Sequence, residues 1–397
     1  MTTTKVTRVS WFDRLKNSVL GIGAGIVLII GMIALLWWNE GRAVQTQRSL
    51  SEGSGLVVSL PISSVDPAQE GQLVHLTGAL STDQMLSDDT FLVTAQGVRL
   101  VRNVEMYQWI ETSTTERQQN LGGSETRTTT YSYALGWADR QQDSSKFQDA
   151  AAHQNPPMSH TGSTFRLESA ELEAFTVGRN VLDRVGGADR LELPAAFEEP
   201  LRERFGENVS IVDGAVYLGA DPAQPALGDH RVSYELVPLG TISVVGAQQG
   251  KGVAAYATRA GDSLLLVRQG AATAQEMFDA AASSNNVMTW VLRAAGLMLL
   301  ITGFSMLLKP LSVLASVLPF LGRLVGTATG LVAAVFGVAI GTLTIAAAWL
   351  AFRPLVSVIV FAIGAGLIFV IRQQIVRRRQ KPTAETAAET TADTALA

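Results

Sequence analysis

His153 and His160 flank Pro156-Pro157 and are the nearest this chain comes to paired metal ligands or to a general base with a polar neighbour. A loop holding two prolines has no helical repeat to turn both rings to one side. No carboxylate pair stands nearby at ligand spacing, so no metal site is expected. Asp88-Asp89 and Glu198-Glu199 are adjacent acids; neighbouring side chains diverge on a strand or a helix, so both pairs read as solvated surface. No G-x-S-x-G, H-E-x-x-H or P-loop pattern occurs. The chain has no cysteine, which excludes disulfides, iron–sulfur clusters, thiolate zinc sites and cysteine nucleophiles. The residues therefore offer no catalytic set, no cofactor-binding site and no metal site, and His153 with Asn155 is the best polar centre available to an enzyme.

The elements that would position any site are dominated by membrane helices. Val287–Ile371 holds three apolar runs, Val287–Leu308, Leu324–Phe352 and Leu355–Ile371, punctuated by Lys309-Pro310 and Arg353-Pro354. Each is long enough for a bilayer crossing, which needs about 20 residues and at least about 17, and proline disfavours helix in the residue before it. A further apolar run, Val19–Trp38, follows a basic N-terminus. It is too long for a signal-peptide core and ends on Trp37-Trp38 rather than a small-residue cleavage site, so it reads as an uncleaved first span. The expected layout is a cytoplasmic segment 1–18, span one 19–38, an extracytoplasmic domain 39–286, span two 287–308, a cytoplasmic connection 309–323, span three 324–352, span four 355–371 and a basic, then disordered, cytoplasmic tail 372–397.

Charge sets the direction. Lys5, Arg8, Arg14 and Lys16 precede span one, and Arg372, Arg377, Arg378, Arg379 and Lys381 follow span four, so both ends are expected in the cytoplasm. An even number of crossings agrees with that. The net charge of −4 hides basic ends and a strongly acidic middle. An acidic soluble domain argues against nucleic acid as a ligand. Arg293 is the one charge within a span and is expected to snorkel to the outer interface.

Residues 39–286 read as β-rich. Gly71–Leu80 and Val98–Ile110 alternate apolar and polar residues, and Ser163–Val177, Val209–Leu218, His230–Val245 and Ser263–Arg268 are similar runs. Glu105–Trp137 reads as one long hairpin with a Thr-, Gln- and Glu-rich middle and a tip at Gly122-Gly123. Short helices are expected at Ala195–Phe205 and Ala274–Ala282, the second opened by a Thr273/Glu276 capping box. The fold class is thus a multi-pass α-helical membrane protein, with one N-terminal and three C-terminal spans and a large β-rich α+β extracytoplasmic domain. Glycine spacing suggests helix contacts. Gly21 and Gly25 form one pair, and Gly326, Gly330, Ala333, Gly337 and Gly341 form a small-residue stripe on span three.

Past span one, Asn39-Glu40-Gly41-Arg42-Ala43-Val44 and Ser49–Gly53 resemble the Transmembrane protein 43, or LUMA, family. The resemblance continues through Gly71–Gly78, Val104–Ile110, Tyr131–Tyr133, His153-Gln154-Asn155-Pro156, Gly261–Gly270 and Ala346–Pro354, and covers nearly the whole chain. It implies four spans, both ends cytoplasmic and one large lumenal domain. In animals the family is associated with the endoplasmic reticulum and inner nuclear membrane, self-associates and is linked to lamins and emerin. A cysteine-free, alanine-rich chain reads as bacterial, so the expected location here is the cell (inner) membrane. No catalytic residues carry over. The motif residues Asn39, Glu40, Gly41, Arg42, His153, Asn155 and Pro156 have no assigned role, and Arg42 could simply meet headgroup phosphate.

Two function classes follow, with a third behind them. The preferred one is a non-enzymatic membrane-organising scaffold that forms homo-oligomers, contacts membrane lipid and binds a protein partner through its outer domain. The second is a membrane enzyme or accessory factor in lipid metabolism. The third, a transporter component, would want acidic residues or broken helices at mid-membrane.

Overall fold

The computed structural model describes residues 2–354 and scattered positions between 358 and 373. Three long helices form its trunk. Helix α1, Trp11–Leu56, is capped by the Ser10 hydroxyl, which accepts from the Asp13 amide. At 1.5 Å per residue it is about 69 Å long, so it continues well past Trp38 into the domain. Two short helices follow, α2 at Arg179–Leu182 and α3 at Glu198–Phe205, the latter preceded by a 3₁₀ turn at Ala195–Phe197. Helix α4, Ala274–Ala315, opens with the expected capping box and runs unbroken into the apolar segment. Helix α5 spans Pro319–Phe352. All three long helices are long and apolar enough to cross a membrane.

Lys309-Pro310 does not end a helix. Pro310 sits inside α4 and removes one backbone donor. The apolar residues after it still gain by packing, and Val313 is buried with its carbonyl held by the Trp11 indole at 3.0 Å. The chain turns only at Ser316–Leu318, and Pro319 opens α5 at a position where no amide is needed. Most of the expected fourth span, Leu355–Ile371, lies outside the described residues.

Small residues let the trunk close. A Cβ on Gly25 would stand 2.9 Å from the Gly303 carbonyl, while Ile29 lies on Gly303 and Leu36 on Gly296, so α1 and α4 mesh at seven-residue intervals. Leu36 is fully buried there. Gly21 meets nothing within 4 Å. On α5, Gly337 packs on Ile301, Gly341 on Leu297, and Ala333 is buried. The stripe predicted on span three is therefore consumed inside the chain at these three positions, whereas Gly330 faces open space and Gly326 has only the Ser312 side chain at 3.8 Å.

The β-rich domain is built on two main sheets. The larger has eight strands. Its main path runs from β1 (Thr2–Val9) to β4 (Glu125–Ala138), β3 (Arg99–Gln119) and β5 (His230–Val237), then to a hairpin of Ala215–Leu218 and Val209–Val212. The run Val209–Leu218 is thus two strands, because Asp213 and Gly214 both take positive φ in the turn between them. The smaller sheet centres on β2 (Leu73–Ala79) and β6 (Thr241–Gln249), paired antiparallel. Residues 230–245 likewise split, β5 serving the larger sheet and β6 the smaller. Leu76, Phe91, Leu100, Phe175, Tyr234 and Val244 belong to the core of the domain. A second cluster joins Leu50 of α1 and Met277 and Phe278 of α4 to Leu73 and Val245, so the first turns of α4 pack on their own domain.

The long hairpin does more than predicted. Strands β3 and β4 pair from Met106–Ala138 down to Gln119–Glu125, and the N-terminal segment folds back as β1, which pairs with β4 from Val9–Glu125 to Thr2–Ser132. The tip reaches the far end of the trunk. The Gly122 amide donates to the Val317 carbonyl at 3.0 Å, Trp11 fills the space over Gly123, and Arg14 contacts Ser316 and Glu125 at 3.2 and 3.5 Å.

Candidate functional site

Residues just past Trp38 on α1 face polar residues of α4, and the two sets interlock where α1, α4 and α5 meet. Asn285, Thr289 and Arg293 are four residues apart, so a helix puts them on one side; Asn39, Glu40 and Arg42 meet them from α1. Arg293 donates to both oxygens of Glu40 at 2.6 and 2.8 Å, and the Trp349 indole donates to Glu40 Oε2 at 2.8 Å. One turn away, Arg42 donates to Asn285 Oδ1 at 3.0 Å, Thr289 Oγ1 at 3.2 Å and Asn39 Oδ1 at 3.3 Å. Asn39 donates to the Thr289 carbonyl and Asn285 to the Ala43 carbonyl. Asn39 and Glu40 are fully buried.

Tryptophans surround this knot. Trp290 and Trp349 carry the Arg293 guanidinium over their rings at 4.8 and 5.7 Å, and Trp37 packs edge-on against Phe352. Such a belt marks a membrane–water boundary. Two expectations change accordingly. Arg293 does not snorkel, and Arg42 does not reach for headgroup phosphate: both are turned inward onto partners from another helix. Gly41 is small because the Phe352 ring lies 2.9 Å from where a Cβ would stand.

The chemistry of the knot is that of a lock. Glu40 receives three donors, two from Arg293 and one from Trp349. Only Arg42 Nε, buried and without a partner, is left over. Removing either member of a buried ion pair strands the other charge, and that cost holds the three helices in one arrangement.

His153, Asn155 and Pro156 lie elsewhere and act on the hairpin. The His153 ring stacks on Tyr133 at 3.9 Å, meets Trp109 edge-on at 4.7 Å and bonds the Asp149 carbonyl through Nδ1 at 3.0 Å. Asn155 accepts from the Trp109 amide at 2.7 Å and donates to the Trp109 carbonyl at 3.0 Å, so its side chain imitates a strand on the outer edge of β3. Pro156 packs against Gly228. These residues secure the root of the hairpin and are not beside the α1 motif.

Further polar groups are buried inside the domain. Asp88, read from sequence as surface, accepts from Arg102 Nη1 at 2.8 Å and from the Tyr234 hydroxyl at 2.6 Å; burial, then Asp88, pushes the Tyr234 phenol above its ordinary range. Burial also lowers His75, His160 and His230. An open cleft of about 640 Å³ is lined by Trp137, Tyr217, Arg190 and the Arg231–Glu105 pair. Among the described residues no three His, Asp or Glu side chains converge as metal ligands.

A model of the Transmembrane protein 43 family matches residues 106–354. Transmembrane protein 43 of Mus musculus and that of Homo sapiens are each 33% identical over 381 residues, covering 92% of this chain and 92% of theirs. The chain belongs to the Transmembrane protein 43 family. The Transmembrane protein 43 homolog of Drosophila melanogaster is 30% identical over 355 residues, 86% of this chain and 91% of its own. No solved structure matches. The family match takes in Asn285, Thr289, Arg293 and Trp349, the α4 and α5 side of the knot. The sequence patterns single out neither Asn285 nor Thr289, and take in Trp349 only as part of the Ala346–Pro354 stretch. The available signal was a polar residue every fourth position at the mouth of an apolar helix, which calls for a partner from another helix.

Proposed function

We propose that this Transmembrane protein 43 family member is a non-enzymatic membrane-organising scaffold. Its trunk crosses the cell membrane with the N-terminal end of α1 and the C-terminal end of the chain in the cytoplasm and Leu355–Ile371 as the fourth crossing. Its β-rich domain stands outside, where it associates with other copies and with a protein partner. The basic residues at the ends of the apolar runs support this direction, and the tryptophan belt at the knot supports the crossing itself.

One observation carries the scaffold reading. Helices α1 and α4 run unbroken through the knot into the second core, where Leu50, Met277 and Phe278 pack with Leu73 and Val245. A lid or a processing enzyme needs a hinge or an open site. A continuous pair of helices instead fixes the domain's height and orientation over the membrane, which is what a docking platform needs. Crosslinking in cells followed by affinity purification tests it, comparing the wild-type chain with Gly53→Leu, whose side chain would collide with Leu264 and Phe278. A protein set recovered with the wild type and lost with the variant is the expected result. A changed lipid profile in cells lacking the protein, with no recovered partner, would favour lipid chemistry instead.

A further inference from the structure

Strands β1, β4 and β3 place a polar sheet beside an apolar trunk. The sheet is tied at both ends of that trunk: its tip bonds the α4–α5 turn at Val317, and its root joins the domain where β3 pairs with β5 from Met106–His230 upward. The three-stranded part has eight rungs, and at about 3.3 Å per residue these cover about 26 Å, close to the hydrocarbon thickness of about 30 Å. Thr112 to Gln118 are all exposed. Successive strand residues point to opposite faces, so both faces are bare.

The side chains there are mostly threonine, serine and glutamine with Lys5, Arg8, Glu116, Arg117, Glu125 and Arg127, and Val6, Val9 and Tyr131 are the apolar exceptions. Two edges are open as well. Among the described residues, β1 has no strand on its outer side and β3 has none beyond Trp109. Lipid cannot solvate open strand edges or these charges.

We propose that this sheet passes the bilayer depth in water, walled off from lipid by further copies of this chain, with β1 of one copy lying along the outer edge of β3 in the next. The proposal rests on the crossing of the trunk described above. Each copy offers one edge of each kind, so a ring of copies leaves no edge open, whereas an unrelated partner would cover one and leave the other. The charges agree. Strand β1 carries Lys5 and Arg8 with no acid, and the exposed part of β3 offers Glu116 beside Arg117, while Glu111 is already bonded to the Tyr133 hydroxyl and the Gln148 amide of its own chain.

The cysteine-free chain allows single thiols to report on this. Leu121→Cys at the tip, Leu227→Cys on the domain, Thr114→Cys in mid-sheet and Val27→Cys on the exposed apolar face of α1 are reacted with a membrane-impermeant maleimide, on intact cells and on inverted vesicles. Leu121→Cys and Leu227→Cys should label from opposite sides, and Thr114→Cys should react at least about tenfold faster than Val27→Cys. Lys5→Cys combined in turn with Thr114→Cys, Glu116→Cys or Gln118→Cys should give interchain disulfides on mild oxidation. Within one chain β4 separates these strands, and two strand spacings of about 4.8 Å exceed the reach of a disulfide.

Tip and domain labelled from the same side would overturn the crossing and this proposal together. Opposite sides with Thr114→Cys as slow as Val27→Cys would overturn the water-filled path and leave the crossing standing. Fast labelling without any interchain disulfide would overturn the role of further copies.

Discussion

Arg293 on α4 grips both carboxylate oxygens of Glu40 on α1, at 2.6 and 2.8 Å. Because the Trp349 indole shares Glu40, this pair binds three helices rather than two. Arg293→Leu leaves a buried carboxylate with one indole donor and is expected to cost about 3–5 kcal/mol. The double variant Glu40→Leu with Arg293→Leu should recover much of that. Thermal unfolding of the full chain in detergent measures both; equal losses in the single and double variants would mean the ion pair is not the coupling.

The α5 glycines divide into two groups. Gly337 and Gly341 press on Ile301 and Leu297 of the same chain, whereas Gly330 meets nothing within 4 Å. Leucine at 337 or 341 should therefore abolish the folded protein, giving aggregate in size-exclusion chromatography. Gly330→Leu should leave folding within about 0.5 kcal/mol of wild type. If Gly330→Leu nevertheless shifts the oligomer, that open face of α5 takes part in assembly.

His153→Ala separates a structural from a catalytic role. The ring lies between Tyr133 and Trp109, and its loss should destabilise the domain by about 2 kcal/mol or more through the cavity and the lost aromatic contacts. Asn155→Ala strands the amide and carbonyl of Trp109 and should cost about 1–3 kcal/mol. A His153→Ala protein with wild-type melting but altered membrane lipid would overturn this assignment.

Acid should weaken the domain. His75 is buried, bonds the Ala272 carbonyl through Nε2 at 2.9 Å and faces the Ser59 hydroxyl through Nδ1. Its pKa is lowered, chiefly by burial, as are those of His160 and His230. The unfolded chain then takes up protons below about pH 6.5 that the folded chain refuses. Stability from this source is complete above that pH and falls as pH drops toward the lowered values. Denaturant midpoints at pH 7.5 and 5.5 should show the loss, and His75→Gln, which keeps a donor for Ala272, should shrink it.

Sequence patterns marked the helices and strands because their causes are local. An apolar run of bilayer length, the Thr273–Glu276 capping box and the β-pattern of Gly71–Leu80 each act over a few residues; long apolar helices, the cap and a strand at Leu73–Ala79 follow, although Leu73 to Leu76 are buried in succession rather than in alternation. Local signals also misled where a distant contact outweighed them. Lys309-Pro310 reads locally as a helix end, yet packing around Val313 and the Trp11 indole carries α4 past it. Asp88 was read as surface, yet Arg102 and Tyr234 take it into the core.

What the sequence alone determined is the material: apolar trunk segments, an acidic β-rich domain, the family motif at Asn39–Arg42 and the absence of thiol chemistry. Tertiary structure decided the pairings. Glu40 meets Arg293 across 253 residues, and Thr2–Val9 finds its place on Glu125–Ser132. Local propensity carries no information about which distant group will satisfy a buried charge or an open strand edge. Closing the chain around them does, because a charge or a backbone donor left without a partner away from water costs more than the fold can spare.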